Sequence, residues 1–448
     1  MKKSSIYTIT LILFTAAVGL IIFKYKNDQI AKEGTIYTLQ QRKGPSAKSQ
    51  EWASMKTTAM ALSESVRRDP ADIKSSLALA ALFIQEARIT GNYMYYDMAA
   101  LKYINNVLKK DSVNFNALLY KSLIYLSQHH FAEGLATALK AQKINPYNAF
   151  VYGIIIDGNV EMGNYPAAVE NSDKMVSIRP DLRSYSRISY LREIHGDYPG
   201  AIEAMKMAVE AGAPGDESTE WARVQLGHLY ENTGELKYAE MHYTIALDER
   251  PAYAYAMAGL ARIALASKQY IKAIEWYLKA DSLISDYSFK EELVEAYHLS
   301  GQKDKANALS MSVIEGLTKD AQMGQSDENI GHYADRELAY AYLKINDYDK
   351  ALEHALLEYN RRPENIDVNE TVAWVYYRKG DFAKALPYIK VAMKTNCKTP
   401  TLLCRAGLIF EKSGDKTTAR QLLQTALKNN PNIAESLKTE GQEALKTL

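Results

Sequence analysis

The sequence is short of the residues that mark most specialised chemistry. It holds two cysteines, Cys397 and Cys404, in 448 residues. Two thiols build no disulfide framework and cannot complete a four-ligand zinc site. A single Cys397–Cys404 bridge stays open, but nothing in the spacing demands it. The plainer expectation is one loop thiol and one thiol packed in a helix. An excess of charge of one sign is also missing. Lys and Arg total 54 and Asp and Glu 53, a net charge of +1. No global field therefore points to nucleic acid, and no nucleic-acid partner is expected. Phe is scarce at 9, while Tyr reaches 32. The fold wants aromatic volume that carries a polar tip. HExxH, P-loop, GxSxG, dinucleotide-fingerprint and CxxC motifs are all absent. No catalytic residue, metal or cofactor is expected.

One long apolar run is present. Lys2 and Lys3 precede residues 6–23, IYTITLILFTAAVGLIIF, and Lys24 and Lys26 follow. Such a run as helix is about 27 Å long, close to a bilayer core. It continues past the small residues Ala17-Val18-Gly19, which favours an uncleaved signal anchor over a cleaved signal peptide. The expected organisation is anchor or signal peptide at 1–26, linker at 27–49, a helical array at 50–431 and a capping helix at 432–448. The array would then be held at a membrane on its periplasmic or extracytoplasmic side. Cleavage would instead release a soluble exported protein.

Beyond the linker, nearly everything reads as short amphipathic helices with similar breaks. Gly91-Asn92-Tyr93, Gly163-Asn164-Tyr165, Gly196-Asp197-Tyr198, Asn346-Asp347-Tyr348 and Gly380-Asp381-Phe382 all show one plan. Gly or Asn ends a helix in the left-handed conformation, and Asp or Asn caps the next. Pro146 and Pro180 lie 34 residues apart, and Pro363 and Pro431 lie two such steps apart. A fixed period of that length means stacked supersecondary units.

The stretch VQLGHLYENTGELKYAEMHYTIALDERP shows one unit in full. Leu226-Gly227-x-x-Tyr230, Ala239, Tyr243, Ala246 and Pro251 resemble the tetratricopeptide pattern. Small residues at Gly227 and Ala239 permit a close helix crossing, and Tyr230 and Tyr243 fill the space beside it. The same skeleton recurs in Ser122, Tyr125, Ala138 and Ala141 before Pro146, and in Gly407, Phe410, Ala419, Leu423 and Ala426 before Pro431. The resemblance spans roughly residues 77–433, about ten units, with a partial unit at 50–70. It implies an all-α, right-handed superhelical solenoid of stacked antiparallel helix pairs. Three places depart from the pattern: an extra turn at Met94–Asp97, and longer connections at 211–219 and 318–331, read as hinges or docking loops.

The resemblance also implies a role. Ligands of such repeats lie in the concave groove lined by the first helix of each unit. Groove positions carried over to this chain give Arg183, Arg187, Tyr190, Trp221, His228, Arg262, Arg336, Tyr340, Trp374 and Tyr377 as partner-binding candidates. Arg183 and Arg187 share a helix face and suit an anion. A solvated charge stripe, or ion pairing with Glu193 or Glu220, is the more ordinary account of them, and helix stacking would account for Trp374 and Tyr377. The expected function is a non-catalytic scaffold binding a protein or peptide partner near a membrane. An accessory role in envelope assembly or secretion, through the repeat ends or convex face, is the alternative. A metal-dependent enzyme using His228, His298 or the His129–His130 turn stands behind both.

Overall fold

A computed structural model of the chain describes residues 10–24, 36–326 and 331–448. These fall into two units, residues 1–40 and residues 41–448. In the first unit, residues 10–24 are helical. Leu11, Leu13, Phe14, Leu20, Ile21 and Phe23 on that helix are exposed. Among the described residues, no helix is long and apolar enough to cross a membrane. The rest of the expected anchor and the first part of the expected linker, residues 1–9 and 25–35, lie outside the described residues.

The second unit is all-α among its described residues. One helix, Gln50–Arg68, precedes ten helix pairs. Repeats 1 to 5 are Ile73–Thr90 with Tyr93–Lys110, Phe115–Ser127 with Phe131–Ile144, Ala149–Glu161 with Tyr165–Ile178, Leu182–Ile194 with Tyr198–Glu210, and Glu217–Asn232 with Leu236–Glu249. Repeats 6 to 10 are Ala254–Ala266 with Tyr270–Leu283, Tyr287–Leu299 with Lys303–Ser326, Asp335–Lys344 with Tyr348–Arg361, Ile366–Arg378 with Phe382–Ala392, and Pro400–Lys412 with Lys416–Leu427. Glu435–Thr447 closes the array.

Local chemistry sets the boundaries. Asp197, Asp347, Asp381 and Asp415 each cap a second helix, accepting the backbone N–H three residues on. Tyr243 shows how the pairs mesh. Its ring lies against Gly227 of its own repeat, and a Cβ at Gly259 of the next would come within 2.7 Å of it. Its hydroxyl donates to Glu231 at 2.6 Å. Any larger residue at Gly227 would overlap the ring, so the crossing depends on that missing side chain.

Helix pairs stacked this way wind into a right-handed superhelix, and its turns touch. Tyr165 Oη accepts from the Ile366 N–H at 2.9 Å. Tyr333 N–H donates to Gln128 at 3.1 Å, Asn432 N–H to Glu231 at 3.3 Å and Ser285 N–H to Thr90 at 3.3 Å. Each contact joins the break inside one repeat to the connection about six repeats later. A continuous seam therefore runs between the first and second superhelical turns.

Three expectations need correction. The linker does not extend to residue 49. Arg42 is 3% exposed. It holds Glu86 at 2.5 Å and Glu51 at 2.7 Å, and it lies over Trp52. A buried guanidinium with two carboxylates and an aromatic face belongs to a packed core. The connection expected at 318–331 is helical through Ser326, because Ala, Gln, Met and Lys offer no stop signal there. The shorter connection at 211–219 ends at Asp216, where the next helix begins.

Candidate functional site

The first helices of repeats 1 to 5 converge on one cavity of about 1460 Å³. Repeat 1 contributes Gln85, Arg88 and, from its break, Tyr93; repeat 2 contributes Asn116 and Tyr120; repeat 3 contributes Phe150 and Asp157. Repeat 4 gives Arg183, Ser186, Arg187, Tyr190 and Glu193, and repeat 5 gives Glu217, Trp221, Gln225 and His228. The helical period explains the set: residues three and four apart share one face.

Five of the ten sequence candidates therefore line a single cavity, but they differ in freedom. Arg187 is fully engaged. Its guanidinium donates to Asp157 at 2.6 and 2.9 Å, to the Gly153 carbonyl and to the Arg183 carbonyl. Its partner is Asp157 on the neighbouring repeat, while Glu193 bonds Asn232 and Glu220 bonds Arg223. Arg183 instead lies 4.7 Å over the Phe150 ring. Among the described residues its guanidinium forms no ion pair closer than 4 Å. The residue is exposed overall, and the partial burial of its guanidinium lowers its pKa. Tyr190 is 39% exposed, and burial of its hydroxyl raises its pKa well above 10. Trp221 carries Arg88 over its ring at 5.6 Å, and Arg88 pairs with Glu217 at 2.7 Å.

His228 is neutral. Burial, then the adjacent Arg262 cation, holds its pKa well below 6.5. Arg262 Nη2 sits 3.0 Å from one ring nitrogen and 3.2 Å from the other. A cation in that position repels a metal ion, so His228 is not a metal ligand here. His298 is exposed on another repeat. Arg262 also bonds Glu231 at 3.0 Å and Glu292 at 3.3 Å, and it links repeats 5, 6 and 7 rather than opening onto the cavity.

The remaining candidates belong to the second turn, away from the cavity. Tyr340 lies between Arg336 at 5.6 Å and Arg405 at 5.3 Å, and Arg405 also pairs with Glu370 at 2.9 Å. Trp374 and Tyr377 are 8% and 7% exposed and stack at 4.9 Å. The Tyr377 hydroxyl donates to Glu440 of the closing helix. Inter-repeat packing consumes both aromatics, so they present nothing to a groove partner. Sequence reasoning missed Arg88, Tyr93 and Phe150, which precede the segments where the repeat pattern is clearest.

Both thiols are buried and free. Cys404 packs under the closing helix, with its sulfur 3.5 Å from the Leu437 carbonyl. Among the described residues one set of side chains has metal-ligand chemistry: His129, His332 and Glu337. It lies on the seam, not in the cavity.

With this geometry in place, comparison with known proteins is direct. Tetratricopeptide-repeat family models match residues 224–288, 336–396 and 403–432. The chain carries tetratricopeptide repeats. The matched segments cover repeats 5 and 6, 8 and 9, and 10; repeats 1 to 4 share the helix-pair plan. Solved structures with a similar fold include a tetratricopeptide repeat protein from Parabacteroides merdae, 16% identical over 54% of this chain and 92% of that one, TM-score 0.42. A human IFIT1 dimer with PPP-AAAA is 13% identical over 77% and 79%, TM-score 0.48. A thermophilic tetratricopeptide protein of Thermus thermophilus is 19% identical over 41% and 98%, TM-score 0.37. No curated protein sequence matches the chain.

Proposed function

We propose that the protein is a non-catalytic scaffold that holds an extended segment of a protein partner along the inner surface of repeats 1 to 5. The observation that carries this reading is the shared cavity of about 1460 Å³ in which Arg183, Tyr190 and Trp221 meet. Arg and aromatic side chains are the usual anchors of protein interfaces. Among the described residues, Arg183 is the cavity cation with no carboxylate within ion-pair distance, so the bound segment carries an acidic group opposite it. The N-terminal apolar run 6–23 would tether the array to a membrane, with the repeats on the extracytoplasmic side.

The test uses the full chain in cells with a photo-crosslinking residue at Gln225. Arg183→Ala with Tyr190→Ala should cut capture of the partner by at least about tenfold, as expected of two anchors. The helical circular dichroism and the melting curve should not move. Undiminished capture would sink the groove reading. Removing residues 1–26 should release the protein from the membrane fraction, and protease accessibility in intact cells reads its orientation.

One observation favours a second reading. Tyr238 and Ile271, on the outer helices of adjacent repeats, are 52% and 61% exposed. Such a stripe suits docking through the convex face, as an envelope assembly or secretion subunit would use. Capture from Ile271 instead of Gln225 would select that reading.

A further inference from the structure

The second repeat breaks differently from its neighbours. Where repeats 1, 3, 4 and 5 place glycine in the left-handed turn, repeat 2 places His129, at φ +62°. An imidazole there projects onto the seam, directly under the connection that enters repeat 8. His129 Nδ1 lies 3.1 Å from the Tyr333 carbonyl. His130 Nε2 lies 2.7 Å from the Gly331 carbonyl, and its ring stacks on Tyr333 at 4.0 Å. The His129 and His332 rings are 4.1 Å apart. Glu337, in the first turn of the next helix, brings Oε1 to 3.7 Å from His129 Nδ1. Its Oε2 is buried and has no hydrogen-bond partner.

We propose that His129, His332 and Glu337 form a structural site for a divalent transition-metal ion of the zinc type, which staples the first superhelical turn to the second. One potential ligand atom from each residue lies within 4.8 Å of the other two. Tetrahedral coordination at zinc distances needs ligand atoms roughly 3.3 Å apart, so the side chains close by about 1 Å or more on binding. Two imidazoles and a carboxylate are donors that zinc, cobalt and nickel accept, and they leave a position for water. The outer contacts suit the same role. His129 donates to Tyr333 and His332 to the Ser127 carbonyl, so each ring keeps one nitrogen with a free lone pair. Burial holds the pKa of His129 near 4 and that of His332 near 3, so both rings are neutral. Two cations stand close by. Arg362 is paired with Glu358 and Glu161, and Arg336 faces Asp367 and Glu370, so carboxylates offset both.

The ligands are about 200 residues apart in sequence and meet only because the superhelix closes. The experiment therefore reads both binding and closure. The untagged full chain, stripped with a chelator and held in detergent, is titrated with Zn²⁺ by calorimetry. One ion per chain is expected. His332→Ala and the isosteric Glu337→Gln should each weaken binding by at least about a hundredfold, beyond what loss of an outer-shell contact does. His298→Ala should bind like the parent. Zn²⁺ should also slow hydrogen exchange at the Tyr333 amide, which donates across the seam to Gln128. Absence of stoichiometric binding, or binding that survives Glu337→Gln in a folded protein, would overturn the site. Tight binding with unchanged exchange at Tyr333 would overturn the staple.

Discussion

The breaks of the first superhelical turn and those of the second have similar sequences and different surroundings. Gly163-Asn164-Tyr165 and Gly380-Asp381-Phe382 follow one plan, with φ of +77° and +80° at the glycines. A Cβ on Gly380 would meet nothing within 4 Å. A Cβ on Gly163 would come within 2.3 Å of the Glu364 carbonyl carbon and oxygen on the turn above. The motif that ends a helix in one place also makes room for a neighbouring superhelical turn in the other. Equal local signatures thus hide unequal roles, and the inequality comes from tertiary closure.

The largest expected effect lies where charge crosses the seam. Arg362 is bonded to Glu358 at 2.5 Å and to Glu161 of repeat 3, and it lies 4.4 Å over Phe131 of repeat 2. Its side chain and that of Glu358 are almost fully buried. Arg362→Ala leaves Glu358 to Arg361 alone and takes the cation from Glu161 across the seam; breaking that buried network costs about 3–5 kcal/mol. Thermal unfolding and hydrogen exchange at the Ile366 amide should both register it. A loss below about 1 kcal/mol would mean that the turns are not coupled as described. Next comes Gly163→Ala. Left-handed strain and overpacking against backbone together predict a loss of about 2–4 kcal/mol.

These two sites also show what the sequence could disclose. The repeats were legible because their signal is local: small residues at crossings, tyrosines beside them, Asp or Asn at the caps. Arg183, Tyr190 and Trp221 were legible as groove residues through the repeat resemblance, which implies the face that turns inward; helical spacing says only which residues of one helix share a face. The seam was not. Its contacts, such as Ile366 N–H to Tyr165, join backbone to side chain about 200 residues away, and no periodicity reports them. Trp374 and Tyr377 had the right spacing for a groove, but the closing helix brings Glu440 to the tyrosine and the pair is covered. His129 occupies a glycine position, and its meaning depends on His332, which no local pattern connects to it.

The two turns should also respond differently to pH. Asp97, on the inner wall of repeat 1, is 2% exposed and has a hydrogen bond from Ser127 at 2.7 Å. Burial pushes its carboxyl up to about 7. Asp335, in the second turn, is also penalised by burial, but His354 and Arg361 hold its carboxyl below the usual value of 3.8. The signs are opposite. The contribution of Asp97 is complete below about pH 4 and is lost as pH rises through 7; that of Asp335 is present above about pH 4 and is lost as pH falls through its lowered pKa. Asp97→Asn should therefore raise stability at pH 8, by on the order of 1–3 kcal/mol, and change little at pH 4. Equal effects at the two pH values would contradict the burial assigned to Asp97.

The smallest effect is the sharpest control. Gly380→Ala meets the same backbone strain as Gly163→Ala, since both glycines adopt a left-handed φ. It meets no atom of a neighbouring turn. Strain alone predicts a loss of about 1 kcal/mol. The difference between the two substitutions then isolates the contact between superhelical turns, because the residue exchanged and the left-handed φ are shared. If Gly380→Ala were as damaging as Gly163→Ala, the seam would add nothing, and the cost at both sites would belong to the helix break alone. If it is milder by about 1–3 kcal/mol, the closure of the superhelix has been measured at a single methyl group.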